Sequence, residues 1–169
     1  ESPRPPAPPG LGRVVWATAV FCMVVVYLGA YVRHTNAQLA CIDWPLCNGA
    51  VFPGLAGPVG AVFVHRLGAL ALLLALVGLA AAARRRRAVR PDLARAADAA
   101  LALAILQALS GAVVVFTRME LFSALAHAGL MALLFAALSY LCYQTLATAR
   151  ATAPGRSSTS EQAPALQVP

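Results

Sequence analysis

Four long apolar runs, separated by short polar segments, make up most of the chain. The runs are Val14 to Val32, Val59 to Ala83, Ala96 to Phe116 and Leu121 to Leu146. As α-helices rising about 1.5 Å per residue, all four are long enough to cross a hydrocarbon layer of roughly 30 Å. The pattern therefore predicts an all-α, integral membrane four-helix bundle made of two helical hairpins.

A weak internal repeat indicates how the two hairpins are related. Gly29-Ala30 in the first run matches Gly111-Ala112 in the third run, and in both cases the following run carries a histidine. We therefore expect pseudo-two-fold symmetry between the hairpins.

The composition also places the chain in a membrane, because 60% of its residues are hydrophobic, 11% are charged and the mean hydropathy is +0.74. We expect a Pro-rich cytoplasmic linker over residues 1–12, the bundle over residues 13–149 and a disordered cytoplasmic tail over residues 150–169. No small-residue cleavage site follows the first run, so it does not resemble a signal peptide. The chain begins at Glu1, and we expect it to be part of a longer protein.

The thirteen basic residues are all arginines, and their distribution predicts the orientation. Ten fall on one side of the four-span topology: Arg4, Arg13, Arg84, Arg85, Arg86, Arg87, Arg90, Arg95, Arg150 and Arg156. The positive-inside rule then predicts a multi-pass protein of the cytoplasmic membrane with both termini cytoplasmic and the arginines near lipid headgroups. The run from Arg84 to Arg90 lacks the interleaved aromatic residues expected of a nucleic-acid surface, so we expect no nucleic-acid partner.

Two histidines lie inside apolar runs at matched depth. His65 is six residues beyond Val59 and His127 is six residues beyond Leu121, which puts both roughly 9 Å below the same outer boundary. Paired histidines on facing helices are suited to axial ligation of one heme iron. The alternative is that each is a hydrogen-bonded packing residue.

Polar residues at the outer ends of the runs fit the same interpretation. Arg33, Arg66 and Arg118 oppose the positive-inside trend, and together they could pair with the two heme propionates, although each alone could be a snorkelling interfacial arginine. His34, next to Arg33, could relay protons or steer a propionate, or serve only as a surface residue. Small and polar side chains that would let a flat ring approach the helices are Gly68, Ala69, Gln107, Ser110, Gly111, Val114, Ser123 and Ala124.

The outer loop after the first run contains Cys41 and Cys47. In the predicted topology this loop faces the oxidising side of the membrane, which favours a disulfide. Five intervening residues differ from the spacing of thioredoxin-type centres, and no histidine follows as in covalent heme attachment. The pair could be a structural staple or could shape a lid over the heme, and a redox role stays open. Cys22 and Cys142, far from this loop, are interpreted as packing residues.

Several of these segments together resemble the heme A synthases, membrane enzymes of eight spans that convert heme O to heme A for cytochrome oxidases. The segments are Leu28 to Thr35, Ala40 to Gly49, His65-Arg66, Gln107 to Thr117 and His127. The resemblance implies a four-helix bundle with a b-type heme held by His65 and His127 and a disulfide between Cys41 and Cys47.

In that family two such bundles are fused, one thought to hold the substrate heme and the other a cofactor heme. The catalytic half carries a glutamate three residues before its first ligand histidine, where this chain has Val62. The resemblance therefore implies the C-terminal, cofactor-heme half, with an N-terminal catalytic half or a second copy of the bundle as partner and heme O synthase as a further candidate partner. Of the two outer acids, Glu120 is a weak catalytic candidate or a helix N-terminal charge, and Asp43 is expected to brace the loop.

We accordingly expect a heme A synthase, or its heme b cofactor half, that oxidises the methyl group of heme O to the formyl group of heme A for cytochrome oxidase biogenesis. One alternative is a b-type cytochrome domain for electron transfer, which commonly has a second histidine pair. Others are an assembly subunit without a cofactor and a thiol oxidoreductase dependent on Cys41 and Cys47.

Overall fold

The computed structural model describes the backbone of residues 5, 7 and 10–152 and the side chains of these as far as residue 146. It contains four α-helices: α1 (Leu11–His34), α2 (Gly57–Arg84), α3 (Pro91–Phe116) and α4 (Leu121–Thr152). All four are long and apolar enough to span a membrane, which confirms the predicted fold class. The predicted tail lies outside the described residues, apart from its first residues, where α4 continues to Thr152.

The helices begin where local chemistry favours a helix start, and so they extend beyond the apolar runs. Pro58 and Pro91 occupy the first turns of α2 and α3, where the missing N–H of proline costs nothing. α3 therefore includes the polar segment ahead of Ala96, in which Asp92 lies near the positive end of the helix dipole. α1 begins at Leu11 and ends on Arg33 and His34, whose side chains suit a helix C-terminus.

The four helices form a ring in chain order. α1 packs against α2 and α4, and α3 packs against the same two helices, whereas neither diagonal pair makes close backbone contact. The alternating directions define two ends of the bundle. The loop end carries residues 35–56 and the short turn 117–120, and the arginine end carries the connection from Arg84 to Arg90.

Close packing is concentrated towards the arginine end. The main core includes Cys22, Leu76, Leu79, Leu93, Leu134, Leu138 and Leu141, all at most 1% exposed. A second, smaller cluster lies at the loop end and joins Val32 and Val62 to Ala37, Cys41 and Cys47. The two clusters leave a layer between them, and this layer holds the histidines.

Candidate heme site

His65 and His127 lie on diagonally opposite helices, α2 and α4, both towards the loop end. Each imidazole is half-buried, and the two are close enough to interact electrostatically. A ligand that bridges the two rings would therefore lie along the diagonal of the bundle, where the helices make no close contact.

The layer around the histidines is less closely packed than the rest of the bundle. Every helix has a stretch there without a single fully buried residue: 26–31 in α1, 63–71 in α2, 105–111 in α3 and 121–133 in α4. Nearer the arginine end the inward-facing side chains are buried, as in a close-packed bundle. The bundle is thus loosely packed at the depth of both imidazoles.

The His65 ring packs against the backbone of α1. A Cβ atom added to Gly29 would lie 2.9 Å from His65 Cε1, closer than side-chain carbons approach one another in folded proteins. Among the described residues, the buried His65 Nδ1 has no hydrogen-bond partner. The ring fits because Gly29 has no side chain, and its polar contact is with the backbone of Val25 rather than with a side chain.

His127 is instead held by hydrogen bonds from α3. Ser110 Oγ lies 2.7 Å from His127 Nδ1 and donates its own proton to the Gln107 carbonyl oxygen at 2.8 Å. Because that proton is committed, Ser110 Oγ must accept from His127 Nδ1–H. Nε2 is then the unprotonated nitrogen and accepts from Gln107 Nε2 at 3.2 Å. This tautomer presents the Nε2 lone pair, which is the form that can ligate a metal.

The predicted propionate partners do not behave alike. Arg66, directly after His65, donates to the carbonyl oxygens of Leu46 and Cys41 in the loop, so it joins α2 to the loop. Arg33 and Arg118 are exposed at the loop end, as is His34. Among the described residues no carboxylate pairs with Arg33 or Arg118, which leaves both guanidinium groups available to an anion.

The loop is built around the predicted disulfide, which is confirmed between Cys41 and Cys47. Asp43 accepts from the backbone N–H groups of Gly49, at 2.7 Å, and Asn48. The Gly49 bond, followed by the Asn48 bond and the nearby Arg66, holds the pKa of the Asp43 carboxyl below its usual 3.8. These contacts agree with the expectation that Asp43 braces the loop.

The other candidate acid has a structural role too. Glu120 directly precedes α4, and its carboxylate accepts from the Ser123 N–H at 3.1 Å, as a helix-capping group does. Val62, one turn before His65 on α2, is 4% exposed and packs in the loop cluster. Of the described carboxylates, Asp92 and Asp98 lie near the arginine end, and both remaining ones are engaged in backbone hydrogen bonds.

Comparison with known proteins agrees with this arrangement. The COX15-CtaA family model, described as cytochrome oxidase assembly protein, matches residues 12–57 and 52–139. The chain belongs to this family. The match extends into all four helices and includes both histidines and the cysteine loop, and it confirms the family resemblance that the sequence indicated.

Curated relatives within the family carry a common name. Heme A synthase of Symbiobacterium thermophilum is 50% identical over 147 residues, covering 87% of this chain and 48% of the relative. The heme A synthases of Alkalihalophilus pseudofirmus and Halalkalibacterium halodurans are 42% and 41% identical, covering 78% and 82% of this chain and 44% and 48% of their own lengths. The chain thus spans about half the length of the curated relatives it matches.

Two site features of this family member were missed or only partly recognised in the sequence. Gln107 and Ser110 were grouped as a polar stripe, without the hydrogen bonds to His127. Three residues apart, they lie on one face of α3, and a polar pair on an otherwise apolar helix is the signal that could have identified them. The loop contact of Arg66 was not foreseen, because carbonyl acceptors leave no trace in sequence.

Proposed function

We propose that this chain is a heme-binding half of a heme A synthase, with His65 and His127 as the axial ligands of a b-type heme. The observation that carries the proposal is the matched histidine pair on diagonal helices, in a loosely packed layer of a bundle that is close-packed towards its arginine end. A bound macrocycle would fill and cover such a layer.

The residues present fit a heme. The ring itself would supply four nitrogen ligands, so two imidazoles complete the iron coordination. Gly29 clears the helix backbone beside the His65 imidazole, since a Cβ there would lie 2.9 Å from Cε1, and Gly111 lies beside the His127 imidazole, where a Cβ would make an ordinary 3.4 Å contact with Cε1. The buried atoms His65 Nδ1 and Gln107 Oε1 lack hydrogen-bond partners among the described residues, as expected of a site whose ligand completes the polar network.

Each side chain then has a defined task. His127 would offer Nε2 to the iron in the tautomer that Ser110 fixes, in place of its present bond from Gln107. His65, beside Gly29, would offer the second imidazole. Arg33 and Arg118 pair with the propionates at the loop end, with His34 beside them, while Arg66 holds the loop against the site.

When bound, the heme supplies one-electron redox chemistry at its iron, or in the substrate half the methyl group that becomes a formyl group. Among the described residues no carboxylate is free to act as acid or base at such a methyl group, because Val62 stands where the family's catalytic half has its glutamate and Glu120 caps α4. We therefore assign it the cofactor role, next to a catalytic half or a second copy of the bundle that receives heme O from its synthase. The second candidate function is a b-type electron-transfer domain, which needs no acid or base and so also fits a site without a free carboxylate among the described residues.

The proposed orientation places both termini and the arginine end on the cytoplasmic side of the cytoplasmic membrane. The loop end then faces the oxidising side, where the Cys41–Cys47 disulfide persists. This orientation puts the heme near the outer surface.

The test is an optical spectrum of the purified full chain, oxidised and reduced, with pyridine hemochrome identification of the bound heme. We expect low-spin b-type bands that disappear in His65→Ala and His127→Ala. Val77→Ala is the control, since it removes an exposed side chain of α2 several turns away from His65. Bands that survive both substitutions, or a colourless chain that heme does not titrate, would refute the ligand pair. Bound heme O or heme A would instead indicate the substrate role.

A further inference from the structure

A cleft lies at the arginine end, far from the histidines. It has a volume of about 640 Å³ and opens between the start of α1 and the end of α2. Its lining combines the guanidinium-bearing residues Arg13, Arg85 and Arg86 with the apolar side chains of Val14, Ala17 and Ala82. A volume of this size is sufficient for a small ligand or a lipid headgroup.

The arginines of this end fall into two groups. Arg84 pairs with Asp98 at 2.7 Å, and Arg90 is buried and pairs with Asp92 at 2.8 Å. Arg13, Arg85 and Arg86, which line the cleft, have no carboxylate partner among the described residues. The acids of this end therefore neutralise arginines outside the cleft and leave three positive charges within it.

We propose that this cleft binds an anionic phospholipid. The guanidinium groups of Arg13, Arg85 and Arg86 pair with the phosphate oxygens, and an acyl chain follows Val14, Ala17 and Ala82 along the α1–α2 surface. The apolar walls favour a lipid over a free phosphate ion, because an ion gains nothing from contact with alanine and valine. The position also fits, since the cleft lies where α1 begins and α2 ends, and both helices are long and apolar enough to span a membrane.

The test compares two double substitutions in the purified full chain. Arg85→Gln/Arg86→Gln removes two charges from the cleft, and Arg87→Gln/Arg95→Gln removes two exposed charges of the same end outside its lining. Binding of phosphatidylglycerol is measured by native mass spectrometry, with phosphatidylcholine and inorganic phosphate as comparison ligands. We expect the cleft variant to bind phosphatidylglycerol about thirty-fold more weakly, from roughly a factor of five per arginine, and the control variant to bind like wild type.

A third variant separates the cleft from surface charge in general. Ala17→Phe fills the apolar wall without changing any charge, and we expect it to weaken phosphatidylglycerol binding while the helical circular dichroism and its melting stay unchanged. Equal loss in both double variants, or undiminished binding in Ala17→Phe, would overturn the proposal in favour of nonspecific attraction. If inorganic phosphate bound with the same affinity as phosphatidylglycerol, the assignment of a lipid as the ligand would be overturned.

Discussion

The two histidines occupy equivalent places in the bundle but are held in different ways. His127 is fixed by two side-chain hydrogen bonds from α3, whereas no described side chain bonds the ring of His65. Around His65 the support comes from the loop, through Arg66, and from the bare backbone of Gly29. The positions that match Gln107 and Ser110 in α1, counted back from the glycine, are Val25 and Leu28.

This difference indicates that a symmetric pair of ligands need not be a pair of equal strength. A ligand whose tautomer and ring orientation are fixed in advance loses less conformational freedom when the metal binds. We infer that His127 is the stronger anchor and that His65 is the adjustable ligand. The following predictions test that ranking.

Removal of each ligand should have the largest and the most unequal effect. In His65→Ala the preorganised His127 should retain part of the heme as a high-spin species, and added imidazole should restore the low-spin spectrum by filling the space. In His127→Ala most of the heme should be lost during purification, because the remaining ligand is less well oriented. The heme-to-protein ratio measures how much heme each variant retains, and the optical spectrum shows its spin state. Equal retention in the two variants would contradict the ranking.

The two glycines provide a steric test of the same difference. Gly29→Ala should displace the His65 ring, since its Cβ would lie 2.9 Å from Cε1, whereas Gly111→Ala leaves an ordinary 3.4 Å contact. We expect several-fold lower heme occupancy in Gly29→Ala and near-normal occupancy in Gly111→Ala. Because alanine favours helices over glycine by up to about 1 kcal/mol, the melting temperature of neither variant should fall merely from helix propensity. Similar heme loss in both would show that the two glycines matter equally.

Ser110→Ala tests the hydrogen bond that fixes the His127 tautomer. Loss of the acceptor for Nδ1–H should weaken heme binding about ten-fold, at the lower end of the effect of such outer-shell partners. The heme reduction potential should rise, because the imidazole becomes a weaker electron donor. Leu28→Ala, the matching change in α1, is the control and should leave the potential unchanged. A potential that moves equally in both variants would mean that the change reports packing alone.

The disulfide should matter for the His65 side only. Cys41→Ser/Cys47→Ser should lower the free energy of unfolding by about 2 kcal/mol, the value expected for so short a ring. Arg66 joins the loop to α2 next to His65. Loss of the disulfide should therefore broaden the NMR signals of His65 in the isotope-labelled protein and leave those of His127 sharp. Broadening of both would indicate that the loop closes over the whole site.

The sequence was sufficient for the helices and for the position of both histidines within them, because apolar runs and histidines inside such runs are strong signals in a membrane chain. The sequence was less informative wherever the position of a side chain depended on hydrogen bonds to backbone atoms. The bonds of Arg66, a predicted propionate partner, to loop carbonyls were not foreseen, and Glu120 caps α4, which agrees with the helix N-terminal charge given as the alternative to a catalytic role. Carbonyl and amide groups occur at every residue, so the sequence does not reveal which of them a side chain will bond.

The smallest predicted effect is a pH dependence of backbone amide exchange that the long loop at residues 35–56 should show and the short turn at residues 117–120 should not. Because the folded-state pKa of Asp43 lies below its usual 3.8, the bonds from Gly49 and Asn48 stabilise the loop above that value and are lost as pH falls through the folded pKa. Backbone amide exchange of the loop in wild type and Asp43→Asn should therefore differ at pH 6 and converge once the pH has fallen below the lowered pKa of Asp43. The turn at residues 117–120 lacks this carboxylate and should exchange identically in both proteins throughout. Loop exchange that already agrees at pH 6 would show that Asp43 does not stabilise the loop.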